Sequence, residues 1–314
     1  MARAQGARAQ MALAFETSYG TPPVTGFIRM PFASSTLGAE QPLIDSELLG
    51  FGRDPLPPIK DAITSNGDIV IPMDLIGLGH WLRLAFGSPN SVGSAPNFTH
   101  TYQSGSWTLP SASIEVGMPE VPRFAMFSGV RLNELSFTMQ RAGQLQATAR
   151  VIAQGETKAA TTQAGSPSTF AVTRFGHFQG AITRNASALA NIVSAEVTYS
   201  NGLDPIETIR ADGKIDGVDP GMASLRGRLT ARFADETLVD QAIAGDPCTL
   251  VFGHTINANA SFALTAHAVY LPRPRVGITG PQGIEVTFEW QAAQAANPAR
   301  LCDVVLKNQQ ASYA

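Results

Sequence analysis

Apolar and polar residues alternate along much of this 314-residue chain. The run Val193-Ser194-Ala195-Glu196-Val197-Thr198-Tyr199-Ser200 alternates throughout, as do Leu135 to Gln140, Leu225 to Phe233 and Ile284 to Trp290. Successive side chains of a strand point to opposite faces, so a period of two sets one face on a core and the other on something wet. That is the pattern of antiparallel sheets. Arg141-Ala142-Gly143-Gln144, Ser65-Asn66-Gly67-Asp68 and Gly280-Pro281-Gln282-Gly283 supply turn chemistry between such strands. The fold class expected is mainly β.

Two stretches break the period. Asp74 is placed to cap a helix carrying Leu75, Ile76, Leu78, Trp81, Leu82, Ala85 and Phe86, stopped by Gly87-Ser88-Pro89. Asp235 precedes Leu238, Val239, Ala242 and Ile243, with Gly245-Asp246-Pro247 as the stop. Gly77 and Gly79 weaken the first helix by roughly 1 kcal/mol each relative to Ala, so only packing on a sheet would hold it.

These segments suggest a duplication. Asp54-Pro55 precedes the first helix and Asp204-Pro205 the second, 150 residues apart; the helix stops are 158 apart. Without a gap, Val130 to Val151 lies on Val269 to Trp290 at an offset of 139, matching Phe137 with Val276 and Met139 with Ile278. Two similar-looking runs of strands are the alternative. Residues 155–169, rich in Ala, Thr, Ser, Gln and Gly, have linker composition. The expected organisation is an N-terminal arm over 1–20, a first domain over 21–155, a linker over 156–172, a second domain over 173–300 and a C-terminal tail over 301–314. Each domain is expected to be a β-sandwich or barrel with one flanking α-helix.

Composition narrows the function. Charged residues are 15% of the chain against a usual figure of about 25%, a surface that suits packing against copies of itself. A net charge of −3 leaves no basic surplus to neutralise phosphates. Cys248 and Cys302 are too few for a disulfide scaffold and read as small apolar fillers in strands. Met11 to Phe15 is too short for a signal-peptide core, and no apolar run is long enough to cross a membrane, so a soluble protein made in a reducing cytosol is expected.

Motifs for chemistry are missing. His80, His100, His177, His254 and His267 are scattered with no metal-ligand spacing, and there is no Gly-x-Ser-x-Gly elbow or P-loop. Asp212 to Asp219 resembles a calcium loop only superficially, since it lacks the alternating ligands and the closing Glu. No enzyme activity, cofactor or metal is expected.

Several segments together resemble the tail tube, or major tail, proteins of long non-contractile-tailed bacteriophages and related prophages. They are Leu37 to Ile44, Ile152 to Thr157, Tyr199 to Pro205, Glu207 to Gly213, Val269 to Pro274 and Val304 to Asn308, in the family's order from about residue 3 to the end. The resemblance implies a β-sandwich-like tube domain with one flanking α-helix, which the duplication would supply twice. It implies copies assembling in the virion tail as stacked rings around a channel for genomic DNA, with inner strands of neighbouring subunits merging. It also implies tape-measure and tail-terminator partners, and assembly in the bacterial host cytoplasm. Such rings need six tube domains. A ring of three two-domain chains is favoured, and a ring of six chains is the alternative.

DNA should pass such a conduit without specific binding, because each phosphate contact would add a salt-dependent attraction. An acidic or neutral lumen is expected, and repeating Lys or Arg there would count against it. The candidate lumen residues are Glu134, Ser136, Thr138, Glu196, Thr198, Glu285, Thr287 and Glu289; an outer solvated face is the other placement for each. The stretch to Gly20, the loop Asp54 to Lys60 and the tail from Gln291 are candidate arms between rings. Rival classes are a receptor- or carbohydrate-binding β-sandwich of the virion, which would expose aromatics in a cleft, and a jelly-roll hydrolase, for which no acid, base or metal set is present.

Overall fold

The computed structural model describes residues 3–278 and 280–313. Strands dominate, and two α-helices occur among the described residues, α1 over Gly77–Phe86 and α2 over Thr237–Ala244. Both stand where the 3.6 periodicity placed them. Asp74 Oδ2 accepts from the N–H groups of Ile76 and Gly77, and Asp235 Oδ1 from that of Thr237. Gly87 and Gly245 end the helices at positive φ.

One antiparallel sheet runs through both halves of the chain. Its order is 34–40, Thr64–Pro72, Gln146–Ala153, the end of Arg123–Gln140, Ile192–Ser200, Ser224–Arg232 and Glu285–Ala293. A second layer is built from two groups of strands. One is Ile28–Arg29, Gln10–Phe15, Ala112–Met118, the start of Arg123–Gln140 and Gly155–Ala159. The other is Gly180–Arg184, Cys248–Asn257, Ala260–Tyr270, Cys302–Asn308 and Asn97–Gln103. The main hydrophobic core fills the space between and reaches from Met11 to Tyr313, and two smaller buried clusters lie apart from it.

Pairings of the first half recur in the second. Thr64–Pro72 and Ser224–Arg232 stand at the same place in the long sheet, 160 residues apart, and so do 34–40 and 194–200. The small hairpin pairing Leu43 with Lys60 recurs as Asp204 with Asp219, each partner near that same shift: in both cases the paired numbers sum to values 320 apart. Arg131 opposite Ile152 recurs as Tyr270 opposite Gln291, the offset of 139 that the apolar pattern suggested. A bulge between Ala112 and Ile114 recurs between Cys248 and Leu250. The Asp-Pro correspondence at 150 does not hold. Asp54 lies in the loop beyond Ile44, whereas Asp204 begins a strand.

The expected arms and linker are more structured than their composition implies. Gln10–Phe15 pairs on both edges and puts Met11 and Leu13 in the core, because five apolar residues are enough for a strand buried on both faces. Cys302–Asn308 is also a core strand, and Tyr313 is buried beside α1, its hydroxyl donating to the Ile76 carbonyl. The linker begins as the strand Gly155–Ala159, and buried Glu115 accepts from Thr162 Oγ1 and the N–H groups of Gln163 and Ala164. A buried carboxylate so satisfied holds the segment against the sheet.

Candidate functional site: a wet sheet face and open strand edges

All eight candidate residues lie on one face of the long sheet. Thr138 stands opposite Glu196, Glu196 opposite Arg228, and Arg228 opposite Glu289. Ser136 faces Thr198, Glu134 is in the row of Ser200, and Thr287 and Glu285 continue the face opposite Thr230 and Arg232. The other face carries Leu135, Phe137, Ala195, Val197, Leu229, Phe288 and Trp290, all buried. Period two therefore resolves into one dry and one wet surface spanning both halves.

Four arginines share the wet face, and repeating arginine is the observation expected to count against an acidic or neutral lumen on these residues. Arg226, Arg228 and Arg232 repeat along one strand, and Arg150 stands on another. Arg150 Nε donates to Asp68 Oδ1 at 3.0 Å, and Arg228 to Glu289 at 2.6 Å; Arg232 lies 3.8 Å from Glu285. The bond to Asp68 and the nearby Glu134 push the Arg150 pKa further up. Glu40, Asp68, Glu134, Glu196, Glu285 and Glu289 outnumber the four arginines. The face is close to neutral with a slight acidic excess. Three of its four arginines are turned onto carboxylates rather than left to attract an anion.

Two strand edges of this sheet end without a partner strand among the described residues. One is the outer edge of 34–40, which pairs only with Thr64–Pro72. The other belongs to residues 285–290, since Glu285–Ala293 meets Ala260–Tyr270 only through its last three residues. Beyond the face, the loop 45–58 exposes Leu48, Leu49 and Phe51.

The places where chemistry was sought are otherwise occupied. Arg210 bonds both Asp212 and Asp216, holding the Asp212 carboxyl far below the usual carboxylate range, so the calcium-like loop is an ion-paired turn. Among the described residues no group of three or more His, Cys, Asp or Glu could hold a metal ion. Cys248 and Cys302 are free and buried in strands, as their isolation suggested, and burial pushes the Cys302 thiol up to about 12. His100 is satisfied by Ser91, Asn308 and the Gln310 carbonyl. Most aromatics are core residues; Trp107 and Phe178 are exposed singly. Among the described residues no helix is long and apolar enough to cross a membrane.

The family described as phage tail tube protein matches residues 6–292. The chain belongs to that family. No curated protein matches it. As a tail tube protein it is a structural component of the phage virion tail. The tube family's β-sandwich character agrees with the two-layer sheet seen here.

Proposed function

We propose that copies of this chain close into rings, three chains to a ring, and that the rings stack into the conduit through which the genome leaves the virion. The chain acts by assembly. It carries two tube domains, so three chains supply the six a ring needs. The observation that carries this reading is the strand Glu134–Gln140 of the first half paired with 194–200 of the second, a domain-to-domain junction inside one chain between halves whose pairings repeat. A heterologous contact repeated by rotation closes a ring. The wet face lines the lumen, and its paired arginines leave passing phosphates little to hold. The exposed apolar loop 45–58 contacts the next ring. Tape-measure and terminator proteins set the tube's length.

Negative-stain microscopy of the concentrated protein tests the reading. Rings or tubes with an axial hole are expected; featureless particles at every concentration would overturn it. The lumen assignment has its own check. Thr138→Lys with Thr287→Lys is expected to leave tubes intact, since both sites are exposed on the wet face and neither faces an arginine. Such changes usually alter stability by less than about 0.5 kcal/mol. The variant tubes should retain added duplex DNA in a salt-dependent manner, whereas unmodified tubes should not. Equal retention by both would remove these residues from the lumen.

A further inference from the structure

We infer that residues 273–278 become a strand by docking antiparallel on the open edge 34–40 of a second copy of the chain, with Arg273 opposite Glu40, Val276 opposite Leu37 and Ile278 opposite Ser35. The inference rests on the conduit reading and names the junction that reading requires.

The register comes from the chain's own pairings. The acceptor strand 194–200 and the edge 34–40 are counterparts at an offset of 160. The donor 131–140 and the segment from Tyr270 onward are counterparts at 139. The internal junction sets Glu134 opposite Ser200 and Phe137 opposite Val197. Moved by these two offsets, it becomes Arg273 opposite Glu40 and Val276 opposite Leu37. The donor's other edge has a place too, since residues 285–290 lack the hairpin partner that Gln146–Ala153 has in the first half. The docked segment completes both edges at once.

Side chains agree on each face. Phe137 and Met139 are each 6% exposed in their strand, whereas Val276 and Ile278 are 42% and 80% exposed in a segment that forms no strand. Alternating apolar residues left wet beside an open strand edge mark a strand whose partner belongs to another molecule. On the wet side, the first half has the row Asp68, Arg150, Glu134. The second half has Arg228 and Glu289 in the same places, signs inverted, and Arg273 would complete it with Glu40 beyond. Arg273 and Glu40 make no ion pair among the described residues. Pro272 lies just before the strand and Pro274 is its second residue, where the missing N–H removes one ladder hydrogen bond near the strand's end. The helices show the same asymmetry. α1 is buried along nearly its whole length, while α2 buries only Leu238 and Ala242 and leaves Ile243 in solvent.

Mixing a Thr36→Cys chain with a Gly277→Cys chain, and separately Leu37→Cys with Val276→Cys, tests the register under oxidation. One of two adjacent rows is a non-hydrogen-bonded pair close enough for a disulfide. A covalent dimer is expected from at least one mixture, roughly tenfold above a Thr36→Cys with Arg273→Cys mixture, which lies four rows out of register. On the unmodified protein, amide exchange should slow at 34–40 and 273–278 when dilute subunits assemble. Rings or tubes that form without in-register dimers and without that protection would overturn the junction while leaving the conduit reading intact. Failure to form rings at any concentration would overturn the conduit reading, and the junction with it.

Discussion

Gly227→Ala is expected to destabilise the chain by about 3 kcal/mol or more, seen as a lower denaturant midpoint. A Cβ at this position would lie 1.9 Å from the Glu196 carbonyl oxygen and 2.6 Å from Trp290 Cζ2. Neither neighbour has room to yield. Glu196 belongs to the central strand paired with Gly227's own, and Trp290 is buried and stacked on Phe252 with ring centroids 5.5 Å apart. The added methyl must push neighbouring strands apart in the middle of the long sheet. Gly253→Ala is the matched control, because its Cβ would meet nothing closer than 3.6 Å. That substitution should change stability by no more than about 0.5 kcal/mol. Equal midpoints for the two variants would show that close packing at Gly227 is not what holds these strands. Gly67, the counterpart of Gly227, makes a similar approach to the Leu37 backbone, 2.5 Å from its Cα. There the partner is an edge, so Gly67→Ala should cost less in the free chain than Gly227→Ala.

Acidification should produce the second large loss. Burial lowers the pKa of His80 to about 4, with nearby Arg83 acting the same way, and burial likewise lowers His254 to about 4. His80 packs against Phe15 and Tyr313, and His254 against Phe175 and Phe262. An unfolded histidine takes up its proton near 6.5, so between 6.5 and 4 the unfolded chain binds more protons than the folded one. Stability from these groups is complete above about pH 6.5 and falls as the pH drops, by about 3 kcal/mol for each histidine at pH 4. Asp74, whose carboxyl burial pushes upward, acts in the opposite direction at the low end of this range. Denaturant midpoints measured from pH 7.5 to 4.5 should fall steeply, and His80→Gln with His254→Gln should flatten the slope whatever the variant's absolute stability. A profile of the unmodified chain that is level from pH 7 to 5 would contradict this account.

Much of the fold could be read from local pattern. The alternation at Val193 to Ser200 and Leu225 to Phe233 marks strands within a residue or two, and Asp74, Gly87, Asp235 and Gly245 delimit both helices. The hairpin repeat at 139 was visible because apolar positions coincide. The repeat at 160 was not, since 34–86 and 194–246 coincide at only five positions, Ser34 with Ser194, Leu43 with Leu203, Glu47 with Glu207, Gly67 with Gly227 and Leu78 with Leu238, amid unrelated neighbours. What the two stretches share is pairing, which long-range hydrogen bonds record and local composition does not. The arginines of the wet face were missed for a related reason. Arg226, Arg228 and Arg232 stand at the polar positions of the alternation, but that these share one face with Glu196 and Glu289 is set by the strands beside them.

Residue order alone determined that this chain would build antiparallel sheet with two short helices, and which side chains of each strand would be wet, because both follow from periodicities of two and 3.6 acting over a few residues. Tertiary structure decided which strand lies beside which. It joined the two halves into one sheet through Glu134–Gln140, drew the terminal segments Gln10–Phe15 and Cys302–Asn308 into the core, and left the edge 34–40 open. Period two names a face and never a neighbour. The neighbour is chosen by packing among residues far apart in the chain.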